Sequence, residues 1–391
     1  MIKILSVVGA RPNFMKIDPV LRALERDPGR FSSVLLHTGQ HYDDNMSRVF
    51  FHDLGLRPPD IDLGVGSGSH AEQTAAVMIR VEQALIAHRP DLVLVVGDVN
   101  STLATTITAA KLHIPVGHVE AGLRSFDRRM PEEINRIVTD ALSTYLFTPS
   151  RDADELLHRE GIPAERIYFV GNVMIDSLRR CQELAAHSPI LNQLALERGK
   201  YAVLTLHRPS NVDDREVLAE ILDALDEIQR VIPIVFPIHP RTVKQIEHFG
   251  YEPRVAAMPG LRLMPPCGYL DFVALQTNAK LVLTDSGGIQ EEATVLGIPC
   301  LTLRDTTERP ITVTQGTNQI VGHDKAKILE AAFKVLGGQL PQGRIPELWD
   351  GHAAERIVDV LTQIPFSGRE PLSPDDQEPV PPMVAGVDPG R

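Results

Sequence analysis

Short apolar runs separated by longer stretches of helical character recur along this chain, and this alternation narrows its fold more than any other property. In the first half the runs are IKILSVV, VLLHTG, DLVLVVGD, PVGHVEAG, YLFTP and IYFVG; in the second they are YAVLTLH, IPIVFPIH, LRLMPP, KLVLTDS and PCLTLR. A strand covered by helices on both faces reads as a continuous apolar run, so the pattern predicts parallel sheets with helices on both sides, an α/β doubly wound protein. The helices carry start signals. Ser69-His70-Ala71-Glu72 reads as a capping box that opens a helix running to about His88, with Pro90 ending it.

At 391 residues the chain exceeds one ordinary hydrophobic core and is expected to divide in two. The polar stretch QELAAHSPILNQLALERGK, after GNVMIDSL, interrupts the alternation. This predicts a first domain at 1–171 and a second at 172–350, with a cleft between them. A helical segment at 351–365 is expected to pack back on either domain. Residues 366–391, rich in Pro, Asp and Gly without periodicity, are expected to form a flexible tail.

Lys plus Arg total 39 against 51 Asp plus Glu, a formal charge of −12, which disfavours nucleic acid and anionic membrane surfaces as partners. An anionic small molecule therefore needs a local basic pocket. No apolar block is long enough to span a bilayer, and MIKILSVVGARP has no small-residue cleavage site, so a cytoplasmic protein is expected. Cys181, Cys267 and Cys300 are far apart and odd in number, which suits core thiols rather than disulfides or a metal cluster. Without an HExxH, CxxC, nucleophile-elbow or P-loop pattern, neither metal nor other cofactor is expected.

In open α/β sheets ligands lie beyond the carboxyl ends of the strands, so the residues after each apolar run are the candidates. KLVLTDSGGIQEEATVLGIP ends a strand at Asp285 and opens a helix at Ser286-Gly287-Gly288, offering free N–H groups and the positive end of a helix dipole to a diphosphate. Glu292, one turn on, is placed to accept ribose hydroxyls; a plain Ser-Gly cap with Glu292 on a solvated face is the equally weighted alternative. Arg11 and Lys16 follow the first strand and suit phosphate, or else are surface cations. Asp98 ends DLVLVVGD, where capping a helix is the more frequent role. Glu120 has small or apolar neighbours and no helix to cap nearby, which favours function. In MPEEINR, Pro131 opens a helix, Glu132 and Glu133 suit its first turn by dipole, and Glu132 can pair with Arg136 at i,i+4. Asp98, Glu120 and Glu132 thus come from one half-sheet, and grouped carboxylates can be driven apart in pKa to serve as acid and base. His207 and Arg208, and less strongly His239 and Arg241, follow strands of the second domain, where a histidine suits proton transfer. Arg304, Glu308 and Arg309 form a polar loop, placed to close over a ligand or to be solvated.

Taken in order, GARPNFMK, GQHYD, GDVNST, HVEAGLRS, MPEEINR, GNVMID, LHRPSN, TDSGGIQEE and RDTTERP, over about residues 5–322, resemble the non-hydrolysing UDP-N-acetylglucosamine 2-epimerases. The resemblance implies a GT-B-like fold: two Rossmann-like domains, the active site in the interdomain cleft, and a C-terminal helix crossing back to the first domain. It implies a homodimer acting on a UDP-sugar, interconverting UDP-N-acetylglucosamine and UDP-N-acetylmannosamine by elimination of UDP to 2-acetamidoglucal and re-addition, to supply a bacterial surface polysaccharide. By motif, the catalytic positions are Asp98, Glu120, Glu132 and His207. The substrate contacts are Arg11, Lys16, Arg136, Phe272, Ser286, Gly287, Gly288, Glu292 and Arg309, with Phe272 against uracil. Two departures bear on specificity. Asn13 stands where many members carry an acidic residue, and Glu72 stands where a second UDP-N-acetylglucosamine site, to which Gln40 matches, takes a basic one; activation through that site is expected to be altered or absent. A hydrolysing epimerase, a GT-B glycosyltransferase, and an epimerase of a 2,3-diacetamido uronic acid are the alternatives.

Overall fold

The computed structural model describes residues 1–39 and 55–366; Gln40 and the tail from 367 onward lie outside them. The first sheet contains β1 (Ile2–Val8), β2 (Phe31–His37), β3 (Ile61–Asp62), β4 (Leu92–Val96), β5 (Val116–Val119), β6 (Tyr145–Thr148) and β7 (Ile167–Phe169). Its order is β3-β2-β1-β4-β5-β6-β7, with every pair parallel. Between these strands lie α1 (Arg11–Glu25), α2 (His70–His88), α3 (Asn100–Lys111), α4 (Pro131–Leu142) and α5 (Arg151–Arg159). After β7, α6 (Val173–Ala185) leads to the second sheet.

That sheet contains β8 (Ala202–Thr205), β9 (Ile234–Pro237), β10 (Leu261–Met264), β11 (Leu281–Thr284), β12 (Cys300–Thr302) and β13 (Asn318–Ile320), in the parallel order β10-β9-β8-β11-β12-β13. Its helices are α7 (Arg215–Gln229), α8 (Pro240–Phe249), α9 (Tyr269–Thr277), α10 (Gly287–Leu296) and α11 (Lys325–Leu336), and α12 (Ala353–Gln363) closes the described chain. Both sheets are buried on two faces. Val93, Val95 and Leu5 pack toward α2 and α3, while Ile4, Leu92 and Leu94 pack toward α1 and α12. The apolar runs of the sequence are the strands of these two sandwiched layers, as the periodicity requires. The runs do not reveal β3 and β13, which are edge strands of two and three residues carrying Asp62, Asn318 and Gln319.

Helix α2 begins at the expected capping box. Ser69 Oγ accepts from Glu72 N at 3.2 Å, and the Glu72 carboxylate accepts from Ser69 N at 3.0 Å, so Glu72 is engaged in starting a helix. At the far end of the chain, α12 returns to the first domain. Ile357 and Leu361 enter the cluster of Phe14, Val20 and Leu24, and the Asp176 carboxylate on α6 receives the N–H groups of Ala353 at 3.1 Å and Ala354 at 2.7 Å. Gly171, at the junction, has φ +92°, and a Cβ there would sit 2.2 Å from the Leu348 carbonyl, so only glycine lets the two segments meet.

In each sheet the strand order reverses at one place, between β1 and β4 in the first and between β8 and β11 in the second. Chains leave such a point to opposite sides and open a crevice at the carboxyl ends of the strands. The residues that follow these four strands therefore form the site.

Candidate active site

A cavity of about 510 Å³ lies between the two reversal points. One wall is Pro12, Met15 and Lys16 from the start of α1, with Asp98 after β4. The other is His207 and Arg208 after β8, and Ser286, Gly287 and Gly288 where α10 begins. Phe272, Tyr269 and Glu292 close one end; Glu308 and Arg309 also reach the surface.

The first wall is fixed from behind. Asn13 is 2% exposed, accepts from Ala10 N at 2.9 Å, and donates to the Val96 carbonyl at 3.1 Å. It ties the β1–α1 turn to the end of β4. Arg11 opens α1. Lys16 forms an ion pair with Glu120, whose other carboxylate oxygen lies 2.7 Å from Nη2 of Arg309 in the opposite domain. Asp98 lies 2.5 Å from Arg136. Its sunken position pushes its pKa up, but the charges of Arg136, Lys16 and Arg309 more than offset this and hold the carboxyl below its usual range.

On α4 the structure corrects one pairing. Arg136 bonds Glu133 at 2.8 Å, at i,i+3, rather than Glu132 at i,i+4. Glu133 is the buried member: its carboxylate accepts from the N–H groups of Ser125 and Phe126, both at 2.9 Å, and folds the preceding loop onto the helix start. Glu132 is half-buried in the first turn, has no hydrogen-bond or ion-pair partner among the described residues, and does not line the cavity.

On the second wall, the backbone N–H groups of His207 and Arg208 donate to Asp285 Oδ2 at 2.8 and 2.7 Å, and His207 Nδ1 lies 2.8 Å from Oδ1. Asp285 is fully buried, so it fixes the histidine's position and ring orientation together. His239 caps α8 through Arg241 N at 3.1 Å, and Arg241 pairs with Asp213; neither lines the cavity. Glu292 is 2% exposed and accepts from Tyr269 Oη at 2.7 Å. Burial raises its pKa to about 7.

Arg309 joins the two walls. Besides Glu120 it contacts Glu308 at 2.5 Å and Glu291 at 2.9 Å, and Glu308 in turn meets Arg304 at 2.9 Å. The side chains of Arg304, Glu308 and Arg309 are buried, whereas Asp305 and Thr306 between them are exposed, so the loop turns its three paired charges inward. Sequence reasoning named Glu133 only for its place by the helix dipole and Asp285 only as a strand end, and gave Glu291 and Tyr269 no role. The doubled Glu in PEEINR and IQEE is the available signal, since of two adjacent carboxylates on a helix only one faces a given partner.

Chemically the site has N–H groups and cations suited to a diphosphate beside Asp98, a carboxylate that neighbouring cations hold charged. Two doubly wound sheets whose reversal points face each other in this way define a two-domain α/β protein of the GT-B type. A family model described as UDP-N-acetylglucosamine 2-epimerase matches residues 22–362. The UDP-N-acetylglucosamine 2-epimerase of Methanocaldococcus jannaschii is 42% identical over 366 residues, 92% of this chain and 99% of that protein. A crystal structure of the enzyme from that organism, in complex with UDP-GlcNAc and UDP, superposes with a TM-score of 0.86 and covers 93% of this chain and 100% of that one, at 42% identity. The UDP-2,3-diacetamido-2,3-dideoxy-D-glucuronate 2-epimerase of Pseudomonas aeruginosa is 43% identical over 371 residues, covering 93% of this chain and 100% of that protein. The chain belongs to the UDP-N-acetylglucosamine 2-epimerase family and is an isomerase.

Proposed function

We propose that the protein is a non-hydrolysing epimerase that interconverts UDP-N-acetylglucosamine and UDP-N-acetylmannosamine at C2. The observation that carries this reading is that one cavity sets a helix start suited to an anion, Ser286–Gly288, opposite Asp98, with Glu120 held directly behind its lining residues Lys16 and Arg309. In the reaction a base removes the C2 proton, the C1–O bond breaks, and its electron pair leaves with the β-phosphate, giving 2-acetamidoglucal and UDP. UDP then adds back to C1 as a proton returns to C2 from the other side. Asp98, Glu120, Glu132 and His207 are assigned to proton transfer and to stabilising the cationic sugar; Glu132 enters by motif alone. Arg11, Lys16, Arg136, Arg309 and the start of α10 hold the diphosphate, which competes with Glu120 for the guanidinium of Arg309. Glu292 takes the ribose hydroxyls, and Phe272 packs on uracil.

The relative from Methanocaldococcus jannaschii, seen with UDP-GlcNAc and UDP, supports a UDP-sugar substrate here. A second reading, epimerisation of the 2,3-diacetamido uronic acid sugar, is favoured by the equal likeness to the Pseudomonas aeruginosa protein. We assign the product to surface-polysaccharide synthesis in the cytoplasm, a reading that suits the free thiols of Cys181, Cys267 and Cys300. No helix among the described residues is long and apolar enough to cross a membrane. A homodimer is part of the proposal, as the family resemblance implies. The test is incubation with UDP-N-acetylglucosamine in heavy water, followed by NMR. UDP-N-acetylmannosamine carrying deuterium at C2 is expected. Accumulation of free N-acetylmannosamine with UDP contradicts the non-hydrolysing assignment, and turnover of only the diacetamido uronate selects the second reading.

A further inference from the structure

His118 on β5 and Asp140 on α4 are both fully buried, and together they hold the backbone behind two of the carboxylates. His118 Nε2 lies 2.8 Å from the Gly97 carbonyl, at the turn that presents Asp98. A carbonyl only accepts, so this nitrogen carries a hydrogen. His118 Nδ1 lies 2.6 Å from Asp140 Oδ1, while Asp140 Oδ2 accepts from Gly122 N at 3.1 Å and meets Arg124 at 2.7 Å. Arg124 is itself held by Glu160 at 2.8 and 2.6 Å, which anchors the assembly to the end of α5.

The residue between these anchors is Glu120, and its backbone is in the left-handed region at φ +74°. A non-glycine residue stays there only when its surroundings over-determine it. Gly97, at φ +70°, is equally confined: a Cβ on it would lie 3.2 Å from Asn13 Nδ2 and 3.3 Å from Lys16 Nζ. One imidazole therefore braces the turn after β4 on one nitrogen and, through Asp140, the turn after β5 on the other.

We propose that His118 is a positioning residue for the epimerase site, setting the separation of the Asp98 and Glu120 carboxylates without touching substrate. This rests on the C2-epimerase reading given above. The variants are chosen by which bond each retains: His118→Gln retains a donor near Nε2 for Gly97, and His118→Asn retains one near Nδ1 for Asp140. For folded variants the expected result is a kcat lower by about tenfold to hundredfold, the scale of a misplaced catalytic group, with KM and the Kd for UDP within about threefold of the parent. Wild-type kcat in both variants overturns the proposal, and so does a loss of UDP affinity as large as the loss of kcat, which marks general damage. Crystal structures of the parent and of His118→Gln give a readout independent of substrate. Glu120 leaving the left-handed region, or a changed Asp98–Glu120 separation, is expected, and unchanged turns overturn the proposal. If the parent itself does not act on UDP-N-acetylglucosamine, the substrate reading fails, and these structures alone decide the role of His118.

Discussion

Arg309 is the residue through which the two walls of the cleft act on one another. It is buried among Glu120, Glu291 and Glu308, and removing one partner of such a network strands charge in low dielectric. Arg309→Gln is expected to destabilise the fold by about 3–5 kcal/mol in urea titration and to abolish turnover. Glu292 works in the opposite sense. Its folded pKa of about 7 lies above its ordinary 4.5, so the folded protein holds the proton more tightly, and the stability from this group is lost as pH rises through 7. Glu292→Gln should therefore exceed the parent in stability by up to about 3 kcal/mol near pH 8, with the gap closing toward pH 4.5, while UDP affinity falls. Residue identity along the chain shows which side chains follow strands, and this is why Lys16, Asp98, His207 and Glu292 were legible. It does not show direction. Spacing on α4 suits Glu132 with Arg136, whereas the helix turns Glu133 toward both that cation and the loop N–H groups. The sequence likewise does not show that Asn13 spends its side chain on three backbone bonds.

The start of α10 contains two adjacent glycines with different neighbours. A Cβ on Gly287 would come within 2.5 Å of Arg309 Nη1 and 2.7 Å of Glu308, whereas one on Gly288 meets nothing within 4 Å. Gly287→Ala is expected to cost about 1–3 kcal/mol, read as a lower urea midpoint, because the buried ion pairs must shift. Gly288→Ala should leave stability unchanged or raise it by up to about 1 kcal/mol, yet weaken UDP binding in calorimetry by filling the place proposed for the diphosphate. Strands and long helices were the most legible elements, since central parallel strands are apolar on both faces and α2 begins at a complete capping box. The edge strands β3 and β13 were not: they are two and three residues long, with Asp62 and Gln319 exposed at the edge and Asn318 buried in bonds to Thr302, Gln290 and Thr312.

Across the molecule, the two sheets place their reversal points face to face, and α12 returns to brace the first domain. Leu361 is fully buried against the first-domain core, so Leu361→Ala should cost about 2–5 kcal/mol and raise hydrogen exchange in α1 as well as α12. Periodicity foretold two α/β halves, and the ordered motifs foretold their arrangement. The buried network of Arg304, Glu308, Arg309 and Glu291 was hidden because its partners lie far apart in sequence and meet only once both halves are folded. The proposed mechanism requires UDP to leave C1 and stay in this cleft while C2 is reprotonated. Positional isotope exchange tests that requirement, using UDP-N-acetylglucosamine with oxygen-18 in the bridge between C1 and the β-phosphate and reading the label by phosphorus NMR. Movement of the label into non-bridging β-phosphate positions as the epimer forms is the expected result; an epimer whose label stays in the bridge contradicts elimination of UDP.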